Sequence, residues 1–234
     1  NLVAKRVDEI CKVASENKVP VFVDAEESWY QVYIDKVVET MIFKYNNEFS
    51  IVYNTIQLYR YDRLQYMKDL TSRVNLNGKH LGLKLVRGAY MEKERDQSVK
   101  RIYPDPIQKD KRATDNDFTK AVEFCIENIE TVSLCAGTHN EKSVLHLTDL
   151  MKKKALKNND SRIWFAQLLG MSDHISFNLS KEGYNVAKYV PYGPIKEVIP
   201  YLIRRAEENT SVSGQTGREL SLIKIVFGSL CILS

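Results

Sequence analysis

Six short apolar runs punctuate the chain, at 21–25, 51–59, 83–90, 132–138, 163–169 and 186–191. Apolar residues recur at helical spacing over 3–18, 28–45, 61–76, 114–130, 141–157, 173–182 and 194–208. Strand-like runs that alternate with helical segments predict parallel strands joined by helical crossovers, hence an α/β fold. The longest irregular stretch, 95–112, contains Pro104 and Pro106, and a loop of that length usually serves a function. The sequence reads as one domain over 1–234, with 210–234 as a C-terminal helix or tail.

Polar residues gather where the apolar runs stop. Asp24 closes the first, Gln57 the second, and Lys84 through Tyr90 the third. Thr138-His139-Asn140 closes the fourth, Gln167 the fifth and Tyr189 the sixth. In a parallel α/β barrel the site is assembled at the carboxyl ends of several strands at once. An open doubly wound sheet would concentrate it at one switch point and usually carries a G-x-G-x-x-G turn, which this sequence lacks. The barrel is the better expectation, although only six of the eight strands it needs are visible.

Lys84 stands inside a run that otherwise reads as buried, Leu81-Gly-Leu-Lys84-Leu-Val-Arg87-Gly88-Ala89-Tyr90. An unpaired charge there would be costly. Alternation puts Lys84, Val86, Gly88 and Tyr90 on one face, and Leu83, Leu85, Arg87 and Ala89 on the other. Lys84 could be a Schiff-base nucleophile, a cation beside an electron-rich cofactor atom, or a side chain reaching past the strand end to water. Asp24 could hold a base, a metal or a hydroxyl, or could cap the next helix. Arg204 and Arg205 form a doublet suited to bidentate binding of a carboxylate or phosphate, or else belong to an exposed, salt-bridged helix. His139, between two small polar residues, suits hydroxyl or phosphate oxygens, or simply ends a strand.

Bulk properties narrow the field. The 234 residues, 44% hydrophobic and 27% charged with a net charge of +4, describe an ordinary globular chain. Basic and acidic residues alternate, which argues against a nucleic-acid surface, and Lys152-Lys153-Lys154 reads as a solvated helix end. Cys11, Cys125, Cys135 and Cys231 are scattered, as are His80, His139, His146 and His174; neither a disulfide framework nor a structural metal is expected. No apolar stretch reaches the length of a transmembrane helix.

Taken together, these segments resemble the proline dehydrogenase family. The matching strings are Val-Asp24-Ala-Glu-Glu, Ile-Gln57-Leu-Tyr, Lys84-Leu-Val-Arg-Gly-Ala-Tyr90, Ala-Thr114-Asp, Thr138-His-Asn140, Gln167-Leu-Leu-Gly-Met, Lys-Tyr189-Val-Pro-Tyr-Gly and Tyr-Leu-Ile-Arg204-Arg205-Ala-Glu-Glu208-Asn. Their wording is similar to the eukaryotic mitochondrial branch, particularly fungal enzymes. The resemblance implies a distorted (β/α)8 barrel holding FAD, and oxidation of L-proline to Δ1-pyrroline-5-carboxylate with electrons passed to a quinone. It also implies a mitochondrial setting, on the matrix side of the inner membrane and peripherally attached to it.

On the same basis, Arg204 and Arg205 clamp the proline carboxylate, while Tyr189, Leu169 and Tyr90 wall the substrate pocket. Lys84 lies beside the flavin, in a position that is arginine in many bacterial members, and Asp24 orders the cationic groups. Gln57, Val86, Arg87, Gly88, Ala89, Thr114, Thr138, His139, Asn140, Gln167 and Glu208 bind FAD, with Gly88 allowing the backbone to approach it closely. The family's first two strands, the second bearing an active-site lysine, have no counterpart ahead of residue 20. The expectation is therefore a truncated barrel with two exposed strand edges. A Schiff-base lyase using Lys84 and a non-catalytic remnant are the competing readings.

Overall fold

The structure, a computed structural model, describes residues 2–211, and side chains as far as residue 203. Six strands form one sheet: β1 (Val21–Val23), β2 (Val52–Gln57), β3 (Leu81–Val86), β4 (Val132–Gly137), β5 (Ile163–Leu168) and β6 (Val186–Tyr189). Every pairing is parallel, and the spatial order is the chain order, β1-β2-β3-β4-β5-β6. The order never reverses, so no doubly wound switch point exists among the described residues. Successive right-handed crossovers then lay the helices on one face, and the sheet curls as half of a barrel.

The helices are α1 (Leu2–Glu16), α2 (Ser28–Tyr45), α3 (Arg63–Leu76), α4 (Met91–Arg101), α5 (Lys111–Glu127), α6 (Glu141–Lys153), α7 (Asp173–Lys181) and α8 (Ile195–Ser211). Leu83, Leu85, Leu134 and Phe165 point to them and are fully buried, in one cluster with Leu70, Val74, Ala121 and Leu147. Each such side chain contributes roughly 1.5–3 kcal/mol through burial. The intervening residues of β3 and β5, among them Lys84, Val86 and Ala166, stay partly exposed on the concave face. No helix of the described residues is long and apolar enough to cross a membrane.

Polar pins set the layers in register. The Asn46 side chain accepts from the Ile51 and Val52 amides and donates to Val52 O, fixing the end of α2 to the start of β2. Arg63 grips Asp35 through two bonds of 2.8 and 3.0 Å, and Asn54 and Gln31 donate to the same carboxylate at 3.0 Å. This network joins α2, β2 and α3 across the helical face.

Two expectations require correction. The stretch 95–112 is not all irregular, because α4 occupies its first part. That helix has polar residues on every side and buries only Glu94 and Ser98, so it has no apolar stripe to read. Its remaining signal is charge: Glu92 and Glu94 in the first turn, Lys100 and Arg101 in the last. The alternation drawn from Lys84 to Tyr90 also fails, since β3 ends at Val86 and Gly88 turns the chain at φ +127°. The expected 210–234 tail falls outside the described residues from 212 onward.

Candidate active site

A cavity of about 660 Å³ opens at the carboxyl ends of the strands, within the ~300–1,000 Å³ range of clefts that enclose small ligands. Asp24, Gln57, Lys84, Thr138, Gln167 and Tyr189 line it, one from each strand. Gln57 and Tyr189 end their strands, Asp24 and Thr138 come just past theirs, and Gln167 and Lys84 lie one and two residues before the ends of β5 and β3.

Lys84 Nζ lies 2.5 Å from Asp24 Oδ1, with the rings of Phe22 and Tyr189 at 5.9 and 6.0 Å. The lysine is thus not an unpaired buried charge: its ammonium is held by Asp24, and its side chain keeps 18% exposure. The alternative of Asp24 as a helix cap is excluded, since α2 starts at Ser28 with Glu27 at its N-cap.

Arg87 is the hub of the next strand end. Its three nitrogens donate to Asp115 Oδ1, Thr138 Oγ1 and Ser143 Oγ at 2.7, 2.9 and 2.9 Å, and its guanidinium lies over Phe118 at 4.5 Å. Burial pushes the Asp115 carboxyl up, but bonds from Lys111 and Arg87 outweigh it and hold the group below its ordinary value. Thr138 also accepts from the Asn140 amide, and Asn140 Oδ1 accepts from Ser143 N, capping α6 at the cavity rim. His139 Nδ1 meets Ser172 Oγ at 2.9 Å.

Gln57 and Gln167 differ in a telling way. Gln167 is internally satisfied, donating to Thr138 O and accepting from Ser176 Oγ. Gln57 Oε1 is buried with no partner, on the cavity wall. A buried acceptor left open is costly, and it marks a place where a ligand donor fits. Across the sheet from it, beyond β3, the wall is thin: Gly137 pairs with Ala166, and Ala166 with Ala187.

Tyr90, Val86, Arg87, Gly88, Ala89, His139 and Asn140 also line this cavity. Thr114 instead lines an adjoining cavity of about 750 Å³, on the far side of the 87–90 turn. Leu169 is 58% exposed, and the wall there is built by Leu168. The lack of a side chain at Gly88 has a visible cause in the packed ring of Tyr59, not only in an approach to a ligand. Arg204, Arg205 and Glu208 lie on α8, with side chains outside the described residues.

Sequence reasoning missed Tyr201, which reaches the cavity from α8 and stands 5.5 Å from the Tyr189 ring. It missed Thr55 and Lys111 in the lining as well. Asp115, in the quoted Ala-Thr-Asp string, was the available signal for the partner of Arg87. No group of three or more metal-ligating side chains occurs among the described residues.

Comparison with known proteins adds an independent line. The sequence profile of the family described as proline dehydrogenase matches residues 2–218. Proline dehydrogenase 1, mitochondrial, of Homo sapiens is 38% identical over 225 residues, covering 94% of this chain and 37% of the relative. The Drosophila melanogaster protein of the same name is 35% identical over 229 residues, covering 94% and 34%. A hydroxyproline dehydrogenase of Xenopus laevis is 38% identical, covering 94% and 48%. The chain therefore spans from about a third to about half the length of these relatives. Among solved structures, proline utilization A from Bdellovibrio bacteriovorus superposes with a TM-score of 0.83 at 24% identity, over 91% of this chain and 22% of that one.

Proposed function

This chain belongs to the proline dehydrogenase family, and we propose that its cavity oxidises L-proline to Δ1-pyrroline-5-carboxylate with bound FAD. The observation that carries the reading is the Asp24–Lys84 pair set in a cavity at the strand ends, with Tyr189 closing one side. FAD would supply the two-electron acceptor for the substrate's hydride and pass the electrons to a quinone.

The residues present fit that group. Gln57 offers an open buried acceptor, Gly88 and Ala89 give a segment with little side-chain bulk just past Val86, and the Gly137–Ala166 pair leaves the wall thin. Arg87, Thr138, His139, Asn140 and Gln167 would complete the cofactor's surround, with Thr114 and Glu208 beyond. Lys84 would offer a positive charge to the cofactor, which would stabilise the negative charge of its reduced form by an electrostatic arrangement set before the reaction begins. Asp24 keeps that ammonium aimed.

Tyr189 and Tyr90 would pack on the substrate, with Leu168 or Leu169 behind it. Arg204 and Arg205, three and four positions after the cavity-facing Tyr201, would clamp its carboxylate. The relatives' names place them in the mitochondrion, and we extend that setting to this chain, with peripheral attachment to the matrix side of the inner membrane and a quinone acceptor. A Schiff-base role for Lys84 has less support, because its nitrogen is bonded to a carboxylate instead of standing free.

The test is direct. Protein purified with FAD should be yellow, and anaerobic proline should bleach it faster than hydroxyproline does. A protein that remains colourless and inert with added FAD would leave a non-catalytic chain. Borohydride trapping of substrate on Lys84 would instead revive the lyase.

A further inference from the structure

Glu94 is fully buried, yet both of its carboxylate oxygens are taken by one uncharged residue, Ser28, sixty-six positions away. Oε1 accepts from the Ser28 amide at 2.5 Å and Oε2 from its hydroxyl at 2.7 Å. Holding a carboxylate out of water without a cation is expensive, and the N-terminus of α2 offsets only part of that. What the arrangement gains is a link between two turns. Glu94 sits in the first turn of α4, its own amide bonded to Tyr90 O at 2.9 Å, just after the 87–90 segment. Ser28 opens α2, just after the 24–27 turn that carries Asp24.

The neighbouring contacts serve the same turn. Lys93 bonds Glu27, and the Glu26 amide donates to Gln31 Oε1 at 2.9 Å. At the upstream end, Thr55 Oγ1 donates to Val23 O at 2.8 Å. Asp24 itself has a side chain that is 54% exposed. A half-exposed ion pair is worth too little to hold a short turn unaided. The anchoring must come from the ends, where Glu27, Gln31, Thr55 and Glu94 are all buried, and Glu94 is the buried group that reaches the start of α2 from α4.

We propose that Glu94 is a positioning residue: it clamps the 24–27 turn so that the Asp24 carboxylate stays on Lys84. The proposal rests on reading the cavity as the proline site, since turnover depends on that pair only there. A misplacement of about 1 Å can cost on the order of a hundredfold in rate.

The test is a double-mutant cycle on the full chain loaded with FAD. Glu94→Ala should lower kcat/KM for proline by roughly tenfold or more, mainly in kcat. Glu94→Gln, whose amide can still accept from the Ser28 N–H and donate to its hydroxyl, should recover most of the loss. In an Asp24→Asn background Glu94→Ala should cost nothing further. Losses that multiply in the double variant, or a folded Glu94→Ala protein with parental kinetics, would overturn the proposal. If Glu94→Ala does not fold, Ser28→Ala, which removes one of the two bonds, takes its place in the cycle. If the parent chain shows no proline turnover, the reading of the cavity has failed, and hydrogen exchange decides on the clamp alone. Faster exchange confined to 24–31 in the Ser28→Ala protein supports it, and unchanged exchange there rejects it.

Discussion

The ring of Tyr59 occupies the space that a side chain on Gly88 would need: a Cβ there would lie 2.3 Å from Tyr59 Cδ1 and 2.5 Å from Cγ. Residue 88 also sits at φ +127°, a conformation that L side chains rarely adopt. Gly88→Ala should therefore destabilise the protein by about 1–3 kcal/mol from backbone strain, with a similar amount from overpacking. Thermal unfolding checks this. Adding Tyr59→Ala should not restore stability, because the strain persists and a second side chain is lost, but the two effects should be less than additive.

Lys84→Met should leave the fold intact and cut proline turnover by about a hundredfold or more, the usual cost of removing one preorganised electrostatic group. Lys84→Arg should retain far more activity, since a guanidinium can still reach Asp24. Steady-state kinetics on both variants, with circular dichroism to confirm folding, decides the matter. Equal losses in the two would remove charge from the explanation.

Acid should loosen the α2–β2–α3 layer first. Burial pushes the Asp35 carboxyl up, but bonds from Arg63, Asn54 and Gln31 win and hold it below its ordinary value. The folded state therefore binds this proton less readily than the unfolded chain, whose carboxyl has a pKa of about 3.9. The resulting stability is fully present well above that value and is lost as pH falls through the lower, folded value. Urea unfolding followed from pH 7 down to 3 should show the decline beginning near pH 5, and Asp35→Asn should flatten this component. That variant leaves Arg63 buried without its counter-charge, a loss on the order of 3–5 kcal/mol at neutral pH.

Much of this architecture was legible because its periods are clean. Strands β1 to β6 and seven of the eight described helices announce themselves through apolar spacing, and strand-end polar residues named the cavity wall from Asp24 to Tyr189. The misses have physical causes. Helix α4 lacks an apolar stripe, because it clamps neighbouring turns instead of covering the sheet. The alternation through Tyr90 broke at Gly88, whose backbone conformation no period reports. The Asp35–Arg63 and Glu94–Ser28 pairs join residues twenty-eight and sixty-six positions apart, so only the folded chain brings them together.

The buried cysteines should behave as inert core residues. Burial, with Asp8 nearby, pushes the Cys11 thiol up to about 11, and burial pushes Cys135 up to about 12. Cys125, wholly enclosed, is shifted in the same direction. Native alkylation at pH 8 followed by peptide mass mapping should leave all three unmodified until denaturant is added. Rapid labelling of Cys135 would show β4 to be more open than its packing implies.

The Gly137–Ala166–Ala187 row has a consequence for how such a protein can change. Charge comes from just past β1 and from β3, through Asp24 and Lys84, while room comes from β4 and β5, through Gly137 and Ala166. Chemistry and capacity are inherited through different strands. A methyl removed at Ala166 would widen the cavity from a strand that carries neither member of the ion pair, whereas a methyl added at Gly137 would press on Val86 and meet Lys84 Cε at 3.7 Å, so the β4 position tunes room and charge together.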